Sequence, residues 1–207
     1  RHATNPDIGA DEGAFIANIN DTLGPKIVHV PMTDTTLLTA PTLVFSITDT
    51  SKVDTTLNKP RVYYRKVQNT NAFVGNTAAN NGWKWVEPTN NSSPFSFTLN
   101  WAILNGGVPL ADGSNNSLIE YFVMAQDYHV NPNLTVYPPN GTYTATTVSN
   151  ITAINIGNRY RYRILNATPY SGDYLVGVGD GEPFATLAAA AAALNAGYIS
   201  GPVRLLL

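Results

Sequence analysis

The residues that could do chemistry in this sequence are few and widely spaced. His2, His29 and His129 stand far apart in unrelated contexts, and there is no cysteine. Neither disulfide nor zinc-type spacing arises from such a set. Glu120 and Asp127 are the acidic pair nearest the centre of the chain. Seven positions apart on one strand, they point to opposite faces. A glycosidase needs its two carboxylates across one cleft. Gly177-Val178-Gly179-Asp180-Gly181 is glycine-rich but lacks the Gly-Lys-Ser/Thr ending of a phosphate loop, and it reads as a turn before a helix. Asp7, Asp11 and Glu12 fit a capping turn, since they form no calcium-loop pattern. Asp49, Asp54, Asp112 and Asp127 fall near strand ends, where turn capping is favoured over calcium binding. No catalytic residue, cofactor or metal ligand is assigned, and the chain is expected not to be an enzyme. Aromatic side chains are the remaining candidates. Trp83 and Trp85 share one face of a strand and read first as a core pair. The alternative is a glycan-stacking platform built from Tyr63, Trp83, Trp85, Trp101 and Tyr137.

The element that would position these groups is LIEYFVMAQD, Leu118 to Asp127, which reads as a central strand. Ile119, Tyr121, Val123 and Ala125 make the core face. Glu120, Phe122, Met124 and Gln126 point the other way; Glu120 and Gln126 need water or partners, and Phe122 and Met124 could be half covered by a neighbouring strand or domain. Further strands are expected at 27–30, 43–47, 61–67 and 82–86. Phe95, Phe97, Leu99 and Trp101 alternate with Ser96, Thr98 and Asn100 over 94–103, and shorter strands follow at 143–148, 151–156 and 160–165. The segments 68–81 and 128–140 read as polar or proline-marked loops. About seven to nine strands in roughly 140 residues make a two-sheet sandwich the economical arrangement. The pattern then changes. A glycine-rich turn at 173–181 leads into a helix over 184–195, carrying the alanine run 188–193, and Gly197 stops it. Ile199 and Val203 to Leu207 enter new strands, so a second structural unit opens here.

Composition narrows the classes. The 207 residues are 43% hydrophobic and only 13% charged, with a net charge of -2. That leaves enough apolar material for a core and no basic footprint for nucleic acid. No apolar run reaches membrane-spanning length. Eleven tyrosines and abundant threonine favour sheet over helix. The abrupt start and the apolar Val203–Leu207 end give the look of a piece of a longer polypeptide. Asn-x-Ser/Thr triplets at Asn20, Asn90, Asn91, Asn115, Asn133, Asn140, Asn150 and Asn166 follow from an Asn- and Thr-rich composition.

Three stretches together resemble large modular surface proteins of the Bacteroidetes type. NPDIGADE (Asn5 to Glu12) resembles the closing segment of a right-handed parallel β-helix. ITDTSKVDTTLNKPRVYYRK, NNGWKWVEPTNNSSPFSFTLNW and IEYFVMAQD resemble the immunoglobulin-like sandwich of these proteins. GDGEPFATLAAAAAALNAGYISGPVRLLL resembles the opening of the next β-helix. Phe184, Thr186, Leu187, Gly201, Val203, Leu205, Leu206 and Leu207 match that opening, while Arg204 and the alanine run depart from it. The resemblance implies a mainly β chain with three parts: a β-helix end at 1–24, an immunoglobulin- or fibronectin-III-like sandwich at 25–165, and a linker, short capping helix and first β-helix strands at 166–207. It implies a secreted, cell-surface or extracellular filamentous location and a non-catalytic structural or adhesive role. The implied partners are neighbouring modules or copies end to end, or a surface glycan, host or substratum. The family's Asp-Ser/Thr glycosylation pattern is matched at Thr22, Thr35 and Thr55. The competing reading is a carbohydrate-binding or accessory module of a polysaccharide-active enzyme.

Overall fold

The computed structural model describes residues 21–111, 114–139, 141–156, 159–165, 169–179 and 181–207. The expectations placed on Asn5 to Glu12, on His2 and on Asp112 lie outside these residues. Among the described residues the chain is mainly β, with several antiparallel sheets and one short α-helix. No helix among them is long and apolar enough to cross a membrane.

β6 (Leu118–Gln126) is the longest strand of the larger sheet and lies at its centre. β3 (Arg61–Lys66) pairs along one edge of it, from Arg61↔Met124 to Lys66↔Ile119. β4 (Lys84–Val86) follows outside β3. Two strands share the other edge of β6. β10 (Tyr160–Arg163) takes its first half and β7 (Leu134–Tyr137) its second. A smaller sheet is formed by β1 (Lys26–Val28), β2 (Thr42–Thr48) and β5 (Phe95–Thr98). Leu43, Phe45 and Ile47 of β2 are buried while their neighbours are exposed, as the alternation requires. They join Phe95, Phe97, Tyr64, Tyr121, Val123 and Tyr162 in one core drawn from both sheets. Each such side chain contributes about 1.5–3 kcal/mol by leaving water.

The second face of β6 is covered more fully than the sequence reading expects. Glu120 is 0% and Gln126 3% exposed, and Phe122 and Met124 are fully covered. The cover comes from the region around β8 (Gly141–Thr144) and β9 (Ala153–Ile156). Val148, Ile151 and Ile154 from this region close over Tyr63, Trp83, Phe122 and Met124 as a second core. Three other expectations change. The alternation over 94–103 ends as strand at Thr98, because the Asn100 side chain caps a 3-10 turn at Trp101–Ile103. The proline-marked loop 128–140 contains β7. The segment 173–181 begins as strand, because β11 (Pro169–Leu175) pairs in parallel with β12 (Tyr198–Leu206). Between them runs α1 (Leu187–Ala196), capped by Thr186, whose hydroxyl accepts from the Ala189 N–H at 3.0 Å. Tyr170, Tyr174 and Phe184 pack together, edge-on or tilted, at 5.6–6.0 Å. Asp173 and Arg204, directly opposite in this register, form an exposed two-pronged ion pair across the strands.

His29 joins the two sheets. Its ring stacks on Phe45 with centroids 3.9 Å apart. Nδ1 donates to the Val44 carbonyl at 2.7 Å, so Nε2 accepts from the Tyr121 hydroxyl at 2.9 Å. The same hydroxyl accepts from the Met32 N–H at 3.0 Å. A neutral imidazole satisfies each of these groups. Burial lowers the His29 pKa from its ordinary 6.5. The unfolded chain therefore takes up this proton first, and stability from this group is complete above about pH 6.5 and declines as pH falls below it. In urea titrations between pH 7.5 and 5.5, the wild-type midpoint is expected to fall more steeply than that of His29→Gln. Parallel slopes for the two proteins would refute the assignment.

Candidate binding sites

Tyr63, Trp83 and Trp85, three of the five candidate stacking residues, converge on one pocket. β3 and β4 place Tyr63 directly opposite Trp85. The loop 67–82 folds back to bring Phe73 in. That loop is held at several points. The Trp83 N–H donates to the Ala72 carbonyl at 2.9 Å, and its indole N–H to Asn71 Oδ1 at 2.7 Å. Asn76 exchanges hydrogen bonds with the backbone of Trp85. Lys84 is fully buried, and its ammonium donates to the carbonyls of Gly75 and Asn80. A Cβ at Gly82 would sit 2.2 Å from the Ala72 oxygen, so glycine is required at this crossing. The pocket holds about 160 Å³ and is lined by Tyr63, Phe73, Trp83, Trp85, Ser149 and Ile151.

Its capacity is limited by what the rings already touch. Tyr63 is 2% and Trp83 1% exposed, so their faces are spent on protein. Trp85 is half-buried, with the Arg61 guanidinium 3.6 Å above its centroid and Glu87 holding that arginine at 2.9 Å. Such a pocket admits a small inserted group rather than a sugar ring stacked on all three aromatics; drug-sized sites begin near ~300 Å³. Trp101 and Tyr137 lie elsewhere. Trp101 belongs to the first core and donates its indole N–H to the Leu38 carbonyl at 2.8 Å. Tyr137 packs beside Tyr160, with ring centroids 5.9 Å apart.

A second hollow, of about 440 Å³, opens where β6 ends. Leu57, Tyr128 and Val130 stand exposed along it. Asp54 shapes its wall, accepting from the N–H groups of Thr56, Leu57 and Asn58. Burial pushes the Asp54 pKa up, but those donors outweigh it and the net shift is downward. Gln126 ties the same wall together, accepting from the Val148 N–H at 2.9 Å and reaching Asp54. Beside the hollow, Asp21, Asp49 and Asp127 bring carboxylate oxygens within 4.8 Å of one another. Each also closes a turn or joins two loops. Asp21 accepts from the Leu23 N–H and from the Thr50 and Ser51 hydroxyls, Asp49 from the Ser51 N–H, and Asp127 from Asn133. Desolvation and the neighbouring Asp21 and Asp127 raise the Asp49 pKa. The three oxygens could contribute to a hard cation's shell, although calcium takes roughly six to eight. The turn-capping expectation thus fits Asp49, Asp54 and Asp127. Of the three candidate glycosylation threonines, Thr22 is exposed. Thr55 is half-buried, as is Thr35, whose hydroxyl accepts from the Leu37 N–H.

The sequence reading missed a cluster of charge. Arg65, Arg159 and Arg161 all converge on Glu120, at 2.5, 3.3 and 3.0 Å. Register explains it, since Arg161 pairs with Glu120 and Glu120 with Arg65 across three adjacent strands. The signal was present in Arg159-Tyr160-Arg161-Tyr162-Arg163. Tyr162 and Tyr160 go to the first core, which sends Arg159 and Arg161 to the opposite face. No family model matches this chain, and no match was found among curated proteins or solved structures.

Proposed function

We propose that this chain is a non-catalytic structural or adhesive module of a cell-surface or extracellular protein. In this reading the two sheets that share the first core form an immunoglobulin- or fibronectin-III-like sandwich, and β11, α1 and β12 begin a parallel β-helical unit. The observation that carries it is the β11–β12 pair. Parallel sheets are normally covered on both faces, and two strands alone are not self-sufficient. Here Leu175 and Ile199 are each 53% exposed. A pair of this kind favours continuation by a neighbouring module or a second copy stacked end to end. The extracellular location rests on the sequence resemblance.

The test is the intact mass of the native material, with electron microscopy of the same sample. A mass far above 22.3 kDa together with extended particles supports the reading. A mass near that value, with compact monodisperse particles, overturns it. A second reading, a carbohydrate-binding or accessory module, rests on the half-buried Trp85 alone, since Tyr63 and Trp83 are buried. Retention of the same sample on immobilised neutral glycan, abolished by Trp85→Ala, would favour that reading over the first.

A further inference from the structure

The cluster around Glu120 is short of negative charge. Three guanidiniums face one carboxylate that is 0% exposed. Glu120 takes donors from Arg65 Nη2, Arg159 Nη1, and Arg161 Nε and Nη2. Arg65 spends Nη1 on the Asn69 carbonyl. Even so, the buried Nε groups of Arg65 and Arg159, and the buried Asn69 Nδ2, find no acceptor among the described residues. No other carboxylate pairs with these three arginines among the described residues. The Trp83 ring supports the cluster from one side, with the Arg65 and Arg159 guanidiniums 4.9 and 5.7 Å from its centroid. Arg65 is nearly enclosed, Arg159 is 16% exposed and Arg161 51%. The surplus positive charge therefore reaches solvent on β10, the terminal strand of the larger sheet.

We propose that Arg161 and Arg159, oriented by Glu120 and Trp83, form a binding site for an oxyanion group, the sulfate or carboxylate of an acidic polysaccharide. Guanidinium suits this role, because its planar fork matches both groups and it is the more weakly hydrated cation. Glu120 is a positioning residue here. It holds the Nε/Nη2 edge of Arg161 and one Nη each of Arg65 and Arg159, and leaves the Nη1 side of Arg161 to the ligand. The choice of a polysaccharide rests on the adhesive reading, whereas the oxyanion site does not.

The experiment uses the whole chain. Inorganic sulfate is titrated while the arginine Nε–Hε resonances are followed by NMR. Retention is then measured at low salt on immobilised dextran sulfate, polygalacturonate and neutral dextran. The Arg161 resonance should shift, and the two acidic polymers should retain the protein while neutral dextran does not. Arg161→Gln should weaken retention by about tenfold or more, as expected for a lost charge-assisted contact. Arg161→Lys should recover only part of it. Arg204→Gln, which removes an arginine 72% exposed outside this cluster, should change nothing. Thermal melts of each variant establish that the fold persists. Sulfate or carboxylate selectivity follows from which acidic column holds more tightly. An unmoved Arg161 resonance overturns the site. A shifted resonance without retention on either acidic polymer overturns the polysaccharide assignment. Equal losses in Arg161→Gln and Arg204→Gln reduce the effect to overall charge and overturn both.

Discussion

Replacing Glu120 with glutamine is expected to destabilise the chain by about 3–5 kcal/mol, the range for removing one partner of a buried ion pair. The side chain keeps nearly the same shape, so little packing is lost. The charge is what changes. Arg65, Arg159 and Arg161 would remain together around a neutral amide, and glutamine's own N–H₂ would add donors to a cluster that already has too many. Arg65 is the least able to escape, with a side chain 8% exposed. Burial already depresses its pKa, and Glu120 is the partner that opposes this. Arg161 can swing into solvent, so Arg161→Gln should cost under about 1 kcal/mol, as exposed pairs do. Urea unfolding of the two variants beside the wild type checks the contrast. Natural domains hold roughly 5–15 kcal/mol in total, so Glu120→Gln should move the midpoint far and Arg161→Gln barely. Equal, small shifts would mean that the cluster is solvated and that its arrangement carries little energy.

How much of this was legible beforehand depends on the range of the interaction. β6 could be read from its own alternation, and so could the inward set of β2, because a single buried face imposes a period of two. The second face of β6 could not. Glu120 and Gln126 are polar, and a polar residue on a strand signals solvent unless its partners are known. Those partners, Arg65, Arg159 and Arg161 for one and Val148 for the other, lie far from them along the chain. Asp21, Asp49 and Asp127 meet for the same kind of reason, through contacts with no local spacing. β7 was hidden by Pro132, Pro138 and Pro139, which bracket four residues that still pair with β6. β11 was hidden by Ser171 and Gly172, which interrupt the apolar alternation. Its order comes from a parallel partner beyond a helix. Of the five aromatic candidates, three shared a neighbourhood because strand register put them there. Their types alone could not distinguish an exposed ring from a buried one.

Trp83→Ala is the second substitution with a large expected effect, about 3–5 kcal/mol, the range for removing a buried aromatic and leaving a cavity. Contacts with five residues end at this ring. It is 1% exposed, stacked near Phe73 with centroids 6.2 Å apart and set edge-on to Phe122 at 4.9 Å. Its indole N–H anchors Asn71, whose own amide reaches the Ile154 carbonyl at 3.0 Å and ties the 67–82 loop to the second core. Its face also lies under Arg65 and Arg159. Trp83→Phe separates these roles, since it retains an aromatic ring but removes the indole donor. It should cost about 1–2 kcal/mol, most of it from leaving Asn71 without its donor. The arginines couple this site to Glu120, so the double variant Trp83→Ala/Glu120→Gln should lose less than the sum of the two single losses. Urea midpoints for all four proteins measure that coupling, with residues in one network expected to interact by roughly 0.5–3 kcal/mol. Strict additivity would separate the aromatic core from the charged cluster and would remove Trp83 as a support for the arginines.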